Sequence, residues 1–96
     1  MQSMPPLDEV VLFELPSKEY AEQLLLDALT DRVAWLQAGD EASVVGVLLG
    51  SDEFDLARLL RCVQSWLNRS GLLALRFEVD GRTYVLEAPL PALAFG

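Results

Sequence analysis

Residues 51–88 constrain the fold most, because they carry a helix, its stop and a hairpin with one workable register. Leu56, Leu59, Leu60, Val63, Trp66 and Leu67 recur at the i, i+3, i+4, i+7 spacing that lines one side of a helix. Arg58, Arg61, Ser65, Asn68 and Arg69 fall elsewhere on the wheel. Ser51 or Asp52 is placed to cap the start, and Asp52, Glu53 and Asp55 crowd a first turn whose dipole favours anions. Gly71 supplies a left-handed residue to stop the helix. Residues 72–79 and 82–88 then form two strands around Asp80-Gly81, which suits the positive-φ positions of a type I′ turn. That turn sets Val79 opposite Arg82, Phe77 opposite Tyr84, Leu75 opposite Leu86 and Leu73 opposite Ala88. Leu73, Leu75, Phe77, Tyr84 and Leu86 share a face for the helices to cover. Arg76, Glu78, Thr83 and Glu87 share a wet one. A slip of one residue would exchange the two faces, so the pairing is well specified.

The chain before it completes the pattern. Residues 1–9 form an arm broken by Pro5-Pro6. Residues 10–15 are an apolar, strand-forming run closed by Pro16, which suits a central strand. A first helix is expected over 17–29, capped by Ser17, with Tyr20, Ala21, Leu24, Leu25, Ala28 and Leu29 at helical spacing and Leu26 half exposed at its edge. Residues 32–37 and 44–49 are two strands joined by the turn-rich connector 38–43. The order β-α-β-β-α-β-β predicts an α+β domain of the ferredoxin-like, split βαβ kind. Its two helices cover one face of a mainly antiparallel sheet, in strand order 4-1-3-2 with the fifth strand beside the fourth. Ninety-six residues make one domain: arm 1–9, core 10–88 and an apolar, proline-broken tail 89–96.

Composition narrows the chemistry. With 52% hydrophobic residues the chain can fold without staples, and its single cysteine, Cys62, fits a reducing, cytoplasmic setting. No signal peptide or membrane-spanning run is visible. Fifteen acids against seven bases give a net charge of −8, which repels phosphate backbones and anionic membranes. Neither nucleic acid nor membrane is an expected partner. There is no histidine, so the commonest general base and transition-metal ligand are missing. No phosphate-binding glycine loop or nucleophile elbow occurs. The acids at 52, 53 and 55 lack the EF-hand ligand pattern and serve the helix start. Cys62 borders the apolar stripe and reads as a small buried hydrophobe, although Arg58 and Arg61 would favour its thiolate if it were exposed. Gly46, inside an apolar strand, marks a close approach of other atoms. No catalytic residue, metal or cofactor is expected.

Residues 10–15, 32–37 and 44–49 are apolar on both faces, unlike the hairpin. Trp66 fits the core, whereas Trp35 can face either the helices or the open side. An outward apolar patch on a small domain marks an interface, unless the tail folds over it. The interface candidates are Val10, Leu12, Trp35, Val44, Leu48 and Phe95.

Leu59, Leu60, Trp66, Leu67, Asp80, Gly81, Arg82, Val85 and Leu86 spell a helix ending in Trp-Leu, a strand and an Asp-Gly-Arg hairpin. This third of the chain resembles the C-terminal half of small actinobacterial domains called effector-associated constant components. The N-terminal half departs, lacking the matching glycine-rich segment. The resemblance implies a non-enzymatic adaptor. The expected function is thus a protein-interaction or regulatory module that self-associates through its open sheet face, as a homodimer or with a heterologous protein. Two other readings are an ACT-like small-molecule sensor and a cofactorless enzyme of the dimeric α+β barrel kind. The loop Leu15-Pro16-Ser17 lacks the glycine a sensor would show there.

Overall fold

The computed structural model describes residues 10–37, 43–50 and 52–88. The elements run β1 (Val10–Leu15), α1 (Lys18–Ala28), β2 (Ala34–Gln37), β3 (Ser43–Leu48), α2 (Asp55–Ser70), β4 (Ala74–Val79) and β5 (Arg82–Glu87). The arm 1–9, most of the connector before β3, Ser51 and the tail 89–96 with Phe95 lie outside the described residues.

This is an α+β arrangement of two helices and one open five-stranded sheet, in the order β2-β3-β1-β4-β5. Every neighbouring pair is antiparallel. The apolar run of β1 takes the central position, between β3 and β4. The β4–β5 register pairs Val79 with Arg82, Phe77 with Tyr84 and Leu75 with Leu86. Asp80 (φ 56°) and Gly81 (φ 76°) occupy the two left-handed turn positions.

Register and burial separate the two faces. Val11 pairs with both Val47 and Val79, and Phe13 with both Val45 and Phe77, so these side chains share one face, and all are buried. Ala21 and Leu24 of α1 and Leu59, Val63, Trp66 and Leu67 of α2 meet them in a single apolar cluster. Tyr20 sets its ring edge-on to Trp66, with centroids 6.5 Å apart. Removing each of the larger side chains from water is worth about 1.5–3 kcal/mol, so the α2 stripe is a major source of stability. No polar or charged side chain is buried among the described residues.

The helix ends follow local chemistry. Ser17 Oγ accepts the Tyr20 N–H at 3.3 Å and caps α1. Gly71 (φ 85°) ends α2 and donates its N–H to Leu67 O at 3.1 Å. The start of α2 differs from expectation. Asp52 Oδ1 accepts the Phe54 N–H at 2.8 Å, closing a turn before the helix, and the N-cap is Phe54 with no side-chain cap.

Four exposures also differ. Tyr84, expected on the helix-covered face of the hairpin, is 43% exposed. Leu73, expected under the helices, is 83% exposed. Leu26 is 72% exposed rather than half exposed. Cys62 is exposed and donates from Sγ to Ala28 O at 3.3 Å, so it is not the buried hydrophobe expected from its neighbours. It falls just outside the arc of α2 that meets the core, beside the end of α1.

Candidate interaction surface

The side of the sheet away from the helices presents residues in rows set by strand pairing. Across β2, β3 and β1, Trp35 lies opposite Gly46 and Gly46 opposite Leu12. One row up, Val33 O accepts the Leu48 N–H at 2.9 Å and Leu48 pairs with Val10. One row down, Gln37 pairs with Val44 and Val44 with Glu14. Val10, Leu12, Val33, Trp35, Val44 and Leu48 therefore form one apolar area around Gly46. Five of the six predicted interface residues lie in it. The sixth, Phe95, is outside the described residues.

The orientation of Trp35 follows from register. Ala34 pairs with Val47 and Leu36 with Val45, both buried, so Ala34 and Leu36 turn inward and Trp35 turns outward. Its indole then lies flat over Gly46. A Cβ on Gly46 would fall within 2.7 Å of Trp35 Nε1, among the indole ring atoms. Gly46 is buried beneath the indole, and Trp35 keeps 36% of its surface exposed. The glycine creates the seat on which the part-exposed tryptophan rests.

The β4–β5 half of the same face is polar. Glu78 lies beside Leu12, Thr83 beside Glu78, and Arg76 lies 3.8 Å from Glu14 as an exposed ion pair. Val85 interrupts it at 60% exposed, an apolar residue on this face that was not among the interface candidates.

A second feature lies at the β2–β3 end of the molecule. Arg32, just before β2, makes a two-pronged contact with Asp55 in the first turn of α2: Nη1 to Oδ2 and Nη2 to Oδ1, each 2.9 Å. Asp55 Oδ2 also accepts the Gly50 N–H at 2.8 Å. The Arg32 hydrogen bonds, followed by that of Gly50, hold the Asp55 carboxyl down to about 2. Arg58 reaches Asp52 Oδ2 at 2.9 Å, and the Phe54 N–H and Arg58 lower Asp52 in turn. Asp52 and Asp55 at the α2 start are thus tied to arginines and backbone amides. Beside the pair lies an open cleft of about 540 Å³, lined by Ala28, Arg32, Val33, Leu48, Leu49 and Cys62 among others. Val33 and Leu48 belong to both features, so the cleft opens onto the edge of the apolar area. The sequence reading missed this pair, whose partners are 23 positions apart.

Among the described residues, no group of three or more Asp, Glu or Cys side chains is arranged to hold a metal ion. No helix there is long and apolar enough to cross a membrane. No protein-family model, no curated protein and no solved structure matches the chain.

Proposed function

We propose that the chain is a non-catalytic protein-interaction module that self-associates through the apolar half of its open sheet face. The observation that carries this is the seating of Trp35 on Gly46 at the centre of an unbroken apolar area. A part-exposed aromatic already seated before binding loses little entropy on docking, and such residues anchor interfaces. The resemblance of residues 56–88 to adaptor domains points the same way. So does the layer between helices and sheet, which apolar side chains fill among the described residues.

We also read the architecture as a ferredoxin-like split βαβ with an added strand. Taken from the other edge, the order is β5-β4-β1-β3-β2. Each helix joins two parallel strands that flank a third: β1 and β2 around β3, and β3 and β4 around β1.

Sedimentation velocity over a wide concentration range tests the functional reading. The expected result is a concentration-dependent species of twice 10.6 kDa. Val33 is 63% exposed, so Val33→Glu places a charge in the contact at little cost to the fold. It is expected to weaken association while leaving the melting temperature nearly unchanged. A wild-type chain that stays monomeric at the highest concentration reached would overturn the proposal.

A further inference from the structure

β5 forms an edge of the sheet, and we infer that this edge pairs antiparallel with the same edge of a second copy, about a two-fold axis through Tyr84. This contact is separate from the open-face contact proposed above and does not depend on it.

The backbone groups of β5 alternate between those bonded to β4 and those turned outward. Ala88 donates its N–H to Leu73 O at 2.8 Å, continuing the β4–β5 pairing beyond Leu75–Leu86. Bonded pairs alternate in an antiparallel ladder, so residues 82, 84, 86 and 88 turn their N–H and C=O groups toward β4. Thr83, Val85 and Glu87 turn theirs away from the sheet. One of these is already taken: Gln64 of α2 donates from Nε2 to Glu87 O at 2.7 Å. Among the described residues, the free run is therefore 83–85.

That run selects a register. An antiparallel neighbour bonds outward-facing residues to outward-facing residues. A two-fold axis through Val85 would set Thr83 against Glu87 of the second copy, whose carbonyl Gln64 occupies. An axis through Tyr84 sets Thr83 against Val85 of the second copy, and Val85 against its Thr83. Four backbone hydrogen bonds form, and the Gln64 bond is left alone. Arg82 then faces Leu86 of the second copy, so no like charges stand opposite each other.

The side chains suit this contact. Tyr84 is 43% exposed although it stacks on Phe77 at 5.4 Å, and the axis would bring it against its own copy on the helix side. Val85 would pack beside Thr83 on the open side. Residues 83–85 carry no charge, proline or bulge of the kind that blunts an edge, whereas β2, at the other edge, is only four residues long. The axis stands perpendicular to the sheet. Both copies thus keep their helices on one side and their open faces on the other, in one ten-stranded sheet.

Two variants test the register. Val85→Pro removes an N–H that the β4–β5 ladder does not use, so the fold is expected to persist by circular dichroism while edge pairing is lost. With Cys62→Ser to remove the native thiol, Tyr84→Cys is expected to give a disulfide-linked dimer with oxidised glutathione. Directly opposed, non-hydrogen-bonded residues sit about 4.5 Å apart at Cα, within disulfide range. Arg82→Cys in the same background is expected to stay monomeric. Crosslinking through Tyr84→Cys that is no greater than through Arg82→Cys would overturn the inference, even if Val85→Pro fails to fold. So would a folded Val85→Pro variant whose Tyr84→Cys crosslink is undiminished. Adding Val33→Glu is expected to leave the crosslink intact, which separates failure of this contact from failure of the open-face one.

Discussion

Gly46 and Trp35 behave as one unit, and substitution of the glycine shows what each supplies. Gly46→Ala pushes a methyl group into the indole ring, and the ring, at the end of a side chain on the open face, must swing away. The expected cost is about 1 kcal/mol, because lost packing outweighs alanine's better strand propensity. Trp66 is buried and stays put, so a red shift of tryptophan emission would report Trp35 alone. An unshifted spectrum at unchanged stability would show that Trp35 does not depend on this seat. Asp55 is the other residue whose role is set by its partners, since it joins the segment before β2, the end of β3 and the start of α2. Asp55→Asn removes the charge that binds Arg32 and is expected to cost about 1–3 kcal/mol at neutral pH. The folded carboxyl is depressed from its ordinary 3.8 to about 2. Its contribution is thus complete above pH 4 and is lost as the pH falls through about 2. Urea titrations of wild type and variant should converge over that window. A gap that stays constant to pH 2 would mean that the charge is not the source.

At the scale of elements, local codes were legible and long-range choices were not. The α2 stripe, the Gly71 stop, the Ser17 cap and the Asp80-Gly81 register are written in residues within a few positions of one another, and each appears where it was read. The turn invites a direct check. Gly81→Val forces a β-branched residue to φ 76° with no steric obstacle around it, so the cost is backbone strain, about 1–3 kcal/mol. A chemical denaturation midpoint unchanged by that substitution would show that the turn does not set the register. Other features needed the assembled molecule. Whether Trp35 points in or out depends on how β2 pairs with β3, and both faces of β2 are apolar in sequence. The bond from Arg32 to Asp55 requires the α1–β2 connection to come beside the first turn of α2. The exposures of Leu73 and Tyr84 depend on where α2 comes to lie over the sheet, which it meets at β5 through the Gln64 bond to Glu87 O. The open apolar face itself was legible, since strands apolar on both sides cannot all be covered by two helices.

The whole molecule carries a net charge of −8, and this sets an electrostatic term against any contact between copies. The open face adds to that opposition: it presents Glu14, Glu78 and Glu87 against Arg76, and Arg76 is already beside Glu14. Packing two such faces gains from apolar burial around Trp35 but brings like-charged bodies together. Salt shortens the reach of that repulsion, from about 30 Å at 0.01 M to about 10 Å at 0.1 M, and leaves apolar burial nearly untouched. Self-association is therefore expected to strengthen as sodium chloride rises across this range, with the dimer dissociation constant falling several-fold. A basic heterologous partner would behave in the opposite way, because its attraction to the acidic surface would be screened. Sedimentation equilibrium at the two salt concentrations distinguishes them. Homodimerisation that weakens with salt would mean that charge attraction rather than the apolar face drives it. The contact would then have to be sought among Arg58, Arg61, Arg69 and Arg82, which lie away from the open face.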